Sequence, residues 1–169
     1  MKTAILAAFA AACVTAPALA QDATSFTGPR AGITLGYDDF QDHSGFSYGV
    51  DAGYDLALAP KIRAGVDVAF ADSTTGSEST LDASRDLSAS LRLGYVLQPQ
   101  IMAFTKVGYA SSRFESDGIG AAKEGVRYGG GLEYSVTPRT YISAEYQRTE
   151  YESGIGGRDA GLVGVGLRF

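Results

Sequence analysis

The 169-residue chain has no tryptophan, one cysteine, one histidine and five prolines. Each scarcity excludes something. Cys13 lies in the N-terminal apolar stretch, so a chain processed after that stretch has neither a disulfide nor a thiolate metal site. The lone histidine stands in Asp42-His43-Ser44-Gly45. A serine hydrolase needs a base directed at its hydroxyl, and adjacent residues rarely point at one another, so no catalytic residue is expected. Positive charge is also in deficit. Against 19 Asp and Glu stand 14 Lys and Arg, a formal −5 that argues against nucleic acid as a partner. No apolar run beyond the first twenty residues is long enough for a membrane-spanning helix.

What is present begins with an export signal. Lys2 supplies a positive start, Ala4 to Ala16 an uncharged apolar stretch, and Ala18-Leu19-Ala20 a small-x-small cleavage motif. Residues 1–20 are therefore read as a signal peptide and 21–169 as one domain. The stretch is too short for a transmembrane anchor, and Cys13 lacks the leucine usual three positions before a lipidated cysteine.

Three of the prolines, Pro60, Pro99 and Pro138, recur every 39 residues, each preceded by a tyrosine: Tyr54, Tyr95 or Tyr134. A fixed period implies a repeated supersecondary unit. Here it reads as a strand, a tight Pro turn, a returning strand and a polar loop. Polar segments fall between the turns, at roughly 38–45, 71–82, 115–123 and 152–158. Four loops and three turns make seven connections and hence eight strands. Short turns at one end and longer loops at the other define an up-and-down barrel.

The predicted strands alternate with period two. In the second, Phe46, Tyr48, Val50, Ala52, Tyr54, Leu56 and Leu58 share one face, against Ser47, Gly49, Asp51, Gly53 and Asp55 on the other. The fourth sets Leu87, Ala89, Leu91, Leu93 and Tyr95 against Asp86, Ser88, Ser90 and Arg92. A soluble β-sandwich also alternates, but these segments run to roughly ten to fourteen residues. That is longer than the ~5–6 of globular strands and enough for a tilted membrane strand of ~9–11. The polar faces carry Asp51, Asp55, Asp67, Asp86, Glu133 and Glu145 against Arg30, Arg63, Arg92, Lys106, Arg127 and Arg168. Eight strands enclose a lumen only wide enough for side chains, and charges there need partners. Six against six therefore reads as an interior salt-bridge network in a neutral plug. Aromatics form two outward girdles: Tyr54, Tyr95, Tyr134 and Phe169 near the turns, and Tyr37, Tyr48, Phe70, Tyr109, Tyr128 and Tyr146 near the loops. Met102 and Phe104 fall inward, as an apolar cap or because a bulge shifts the register. The fold class is all-β: an eight-stranded antiparallel up-and-down transmembrane β-barrel.

From Thr27 to Phe169 the chain resembles the OmpA/OmpX-like and opacity-protein family of small outer-membrane barrels. The last segment, Gly161-Leu162-Val163-Gly164-Val165-Gly166-Leu167-Arg168-Phe169, looks like that family's assembly signal. The resemblance implies that the barrel-assembly machinery reads Val163, Val165, Leu167 and Phe169. It also implies a bacterial outer-membrane location with extracellular loops and periplasmic Pro turns. The end at Phe169 leaves no appended peptidoglycan-binding domain, unlike full-length OmpA. Arg85, Arg113 and Arg148 fall outward by parity, just beyond the apolar band, where lipopolysaccharide phosphates lie. Asp38, Asp39 and Asp42 offer oxygens but lack the spacing of a calcium loop, so no metal site is expected. No cofactor is expected either. The expected function is structural: a non-enzymatic, monomeric barrel in contact with membrane lipid and lipopolysaccharide, supporting envelope integrity and surface properties. A surface adhesin with acidic loops and a narrow, low-conductance porin are the alternatives.

Overall fold

The computed structural model describes residues 26–40, 43–73, 84–116, 119–151 and 157–169. The expected signal peptide and Asp42 lie outside them. Eight strands follow in order: β1 (Gly28–Phe40), β2 (His43–Ala59), β3 (Ile62–Ser73), β4 (Ser84–Gln98), β5 (Ile101–Ser116), β6 (Ile119–Ser135), β7 (Thr140–Tyr151) and β8 (Gly157–Arg168). Each pairs antiparallel with its neighbours in sequence, and β8 returns to β1, closing the barrel.

The Pro turns show the 39-residue period in atomic detail. The residue after each proline offers its carbonyl to a strand that follows: Val96 N donates to Lys61 O at 2.8 Å, Ser135 N to Gln100 O at 2.9 Å, and Arg168 N to Arg139 O at 2.7 Å. The first two turns carry matching register shifts, at Ala57/Ala59 and Val96/Gln98. The third is held differently, with Thr137 Oγ1 accepting from Arg139 N and Thr140 N.

Strands run from 12 to 17 residues, longer than the alternation alone marked out. They consume much of the polar segments expected as loops. Asp38 and Asp39 belong to β1, Ala71 to Ser73 to β3, and Arg158 to β8. The β1–β2 and β5–β6 strand ends stand directly opposite one another, Phe40 to His43 and Ser116 to Ile119. Residues with turn chemistry thus continue the ladder at these ends.

The barrel is inside out relative to a water-soluble domain. Outward positions such as Leu35, Leu91, Val107, Leu132 and Val163 are all at least half exposed, while Arg30, Asp55, Arg92 and Glu133 are buried. Only a surrounding apolar phase makes that arrangement favourable. The aromatics of both girdles point outward as well.

Apolar bulk closes the turn end of the lumen. Register across β5 and β6 is unbroken from Ile101 to Ser116, so Met102 and Phe104 point inward by the parity of β5, the neighbouring register shift lying on β4 between Val96 and Gln98, and both are buried. Phe26 is also buried and takes a left-handed φ of 69°, which an aromatic residue adopts only under constraint. At the β8–β1 seam, Phe169 N donates to Pro29 O at 2.9 Å. Tyr141 lays its ring against Gly166 there, where a β-carbon would collide with the ring. Gly166 is thus required by the close approach of an aromatic ring.

Candidate functional site

The lumen charges fall into two groups of ion pairs. In the larger, Arg30 reaches Asp51 at 2.9 Å, Asp55 at 3.2 Å and Asp67 at 2.5 Å. Asp55 and Glu133 are then shared by two further arginines. Arg92 meets them at 3.2 and 2.6 Å, and Arg168 at 3.0 and 2.7 Å. Lys106 extends the group to Asp67 at 3.3 Å and Glu145 at 2.7 Å. Glycine makes room for it: a β-carbon at Gly53 would stand 2.9 Å from the Arg30 guanidinium. Below, Arg92 stacks 4.0 Å above the Phe104 ring, so the apolar cap also faces a cation.

The second group lies toward the loop end. Arg127 grips Asp86 through two bonds, 2.7 and 2.6 Å, and donates from Nε to Thr149 at 2.8 Å. Arg158 binds Asp38 and lies 3.9 Å from Asp86. Asp38 also accepts from Ser47 at 3.2 Å and Ser73 at 3.0 Å.

All twelve residues expected inside are inward-facing, but they do not form one network. Arg63 is buried and directs its guanidinium to the carbonyls of Ala59 and Ile62, at 3.0 and 3.2 Å, closing the first Pro turn. Sequence reasoning missed Asp38 and Arg158. Parity held the signal: Asp38 continues the inward set Arg30, Gly32, Thr34 and Gly36, and Arg158 continues Arg168, Gly166 and Gly164. With them the lumen holds seven carboxylates and seven cations among the described residues.

Asp38 and Asp39 point to opposite faces, so they cannot share a cation, and no metal-binding cluster occurs among the described residues. Ser44 accepts from Tyr37 Oη at 2.5 Å, and the side chain of His43 lies outside the described set.

The outward arginines differ from one another. Arg148 is engaged by Asp159 at 3.1 Å and Glu150 at 3.6 Å, while Tyr146 and Tyr128 donate to those carboxylates at 2.5 and 2.8 Å. Arg85 is exposed and makes no ion pair among the described residues; it stands opposite Arg113 in the ladder, whose side chain lies outside the described set. Val163, Val165, Leu167 and Phe169 form the outward row of the last strand and are exposed.

Fold and lumen together define an outer-membrane barrel. The chain belongs to the family described as outer membrane protein beta-barrel domain, whose model matches residues 4–169. Membership places it in the bacterial outer membrane. No curated protein sequence matches it. Among solved structures, the chain is similar to Ail, the attachment invasion locus protein of Yersinia pestis, with 18% identity and a TM-score of 0.59, over 85% of this chain and 97% of that one. The N-terminal barrel of Pseudomonas aeruginosa OprF gives 17% and 0.60, over 85% and 99%. The outer membrane enzyme PagL gives 13% and 0.54, over 83% and 99%. At these identities the likeness is one of fold.

Proposed function

We propose that this chain is a structural barrel with a closed lumen, supporting envelope integrity and surface properties without catalysing a reaction. One observation carries the reading. Asp55 and Glu133, each 1% exposed, are gripped from different strands by Arg92 and Arg168, so charge pairs cross the lumen above the Met102 and Phe104 layer. A permanent pore would need those buried pairs broken, at several kcal/mol each. Planar-bilayer recording tests this: the expected trace is flat, and a stable, sizeable conductance favours the narrow porin instead.

In this reading the Pro turns face the periplasm and the loop end faces the exterior. The barrel-assembly machinery reads Val163, Val165, Leu167 and Phe169, and the folded protein is a monomer. Arg85 and Arg113 contact lipopolysaccharide phosphate; Arg148 contributes less because Asp159 and Glu150 already neutralise it. Neutralising Arg85 and Arg113 together lowers lipopolysaccharide co-purification, whereas unchanged co-purification removes that role.

A surface adhesin is the second reading. Its support is an acidic outward rim at the loop end, where Asp39, Asp72, Glu124, Glu150 and Asp159 outnumber Arg85 and Arg148 among the described side chains. Cells carrying neutral residues at Asp39 and Glu124 then lose attachment to host surfaces. Unaltered attachment leaves the structural role standing.

A further inference from the structure

Glu145 is bonded at only one of its carboxylate oxygens. Oε2 pairs with Lys106 at 2.7 Å, whereas Oε1 is shut off from solvent and meets no hydrogen-bond donor among the described residues. Tyr141 Oη likewise has no partner at bonding distance, on a residue only 4% exposed that faces the Arg30 guanidinium and Asp51. Both residues line one cavity of about 70 Å³ in the lumen, together with the polar side chains Asp51, Asp67, Lys106 and Gln147. A single water needs only ~10–15 Å³. Asp51 Oδ1 and Tyr141 Oη lie 2.9 and 3.0 Å from one point above Gly32, so they share a wall of the lumen.

The nearby cations are already engaged. Arg30 serves Asp51, Asp55 and Asp67, and Lys106 serves Asp67 as well as Glu145. Arg92 is held by Asp55 and Glu133, Arg127 by Asp86, and Arg158 by Asp38. Around this part of the cavity, three carboxylates therefore face two cations: Asp51, Asp67 and Glu145 against Arg30 and Lys106. Water would satisfy the open hydrogen bonds but bring no positive charge to this part of the lumen, since the cation that balances the described set, Arg63, is held at the first Pro turn.

We propose that the cavity is a binding site for one small, hydrated monovalent cation of the sodium or potassium class. Glu145 Oε1 is its charged ligand, and its water shell meets Tyr141 Oη and Asp51 Oδ1. A single positive charge restores local neutrality, where a divalent ion overshoots. The site goes beyond the closed-lumen reading, and the two fail separately: bilayer recording judges closure, and the identity of the salt judges the site.

The test heats the folded barrel in zwitterionic detergent at equal ionic strength in sodium, potassium or N-methyl-D-glucamine chloride, whose organic cation is too large for the cavity. Sodium or potassium raises Tm by about 3 °C or more over the organic cation. Glu145→Gln abolishes that difference, and Glu150→Gln on the outer rim keeps it. Equal Tm in all three salts overturns the site, as does a Glu145→Gln barrel that retains the difference. If that variant fails to fold, crystals of the unaltered protein grown in rubidium chloride decide. An anomalous peak beside Glu145 supports the site, and a cavity without one overturns it.

Discussion

Two glutamates on this barrel have the same chemistry and opposite surroundings. Glu133 is 1% exposed and bridges Arg92 and Arg168, whereas Glu150 sits on the outer rim beside Arg148. Replacing Glu133 by Gln removes charge from a place where two guanidinium groups depend on it, and about 3–5 kcal/mol of stability should go with it. Glu150→Gln breaks a screened, solvent-facing contact and should cost under about 1 kcal/mol. Urea titration of vesicle-inserted protein measures both. Equal losses would mean that the lumen is as wet as the rim. Gly166→Ala tests a different property of the same interior. Its β-carbon would strike the Tyr141 ring, so overpacking of about 1–3 kcal/mol is expected, relieved when Tyr141→Ala is added. Inward charges such as Asp55 and Arg92 were legible in the sequence because a period of two leaves no choice of face once neighbours are fixed. Partner choice was not legible. That Arg30 serves three carboxylates depends on side-chain reach across a closed lumen, which no linear spacing encodes.

At the scale of strands, the informative failures lie at the loop ends. Asp38-Asp39 and Gly157-Arg158 have turn chemistry, and local composition favours a loop. Pairing overrides it, because Asp38 and Arg158 meet across the β1–β8 seam and Ser47 and Ser73 complete the carboxylate's bonds. This contact holds the seam at one end, as Phe169 N to Pro29 O holds it at the other. A double-mutant cycle with Asp38→Asn and Arg158→Gln should therefore give a coupling of at least about 1 kcal/mol. Additive losses would show that the two side chains are solvated separately. The Pro turns were legible for the converse reason. A proline that must recur at 39 residues marks a repeated backbone requirement, and the carbonyls of Lys61, Gln100 and Arg139 meet it each time. The third turn departs in its cap, since Thr137 replaces the register shift of the first two.

For the whole molecule, the decisive fact is which phase each face requires. The closed ladder leaves no free sheet edge, so backbone polarity is satisfied within the barrel and the outer surface is free to be apolar. That surface was legible because outward and inward residues alternate through every strand; a soluble sandwich of the same pattern would have buried its leucines. Leu91 separates the two cases. It is 62% exposed, in mid-strand between Leu87 and Tyr95 on the outward row of β4. If the band is set in hydrocarbon, Leu91→Arg places a cation near the bilayer midplane and should cost about 2–4 kcal/mol in lipid vesicles. Ser44→Arg, exposed beyond the loop-side girdle, should cost no more than about 1 kcal/mol, because depth rather than charge sets the penalty. Folding in each case is read from the shift between unboiled and boiled gel migration. Equal penalties at the two depths would mean that the apolar band does not lie in the membrane, and the closed lumen would then have to be explained as the centre of a soluble barrel.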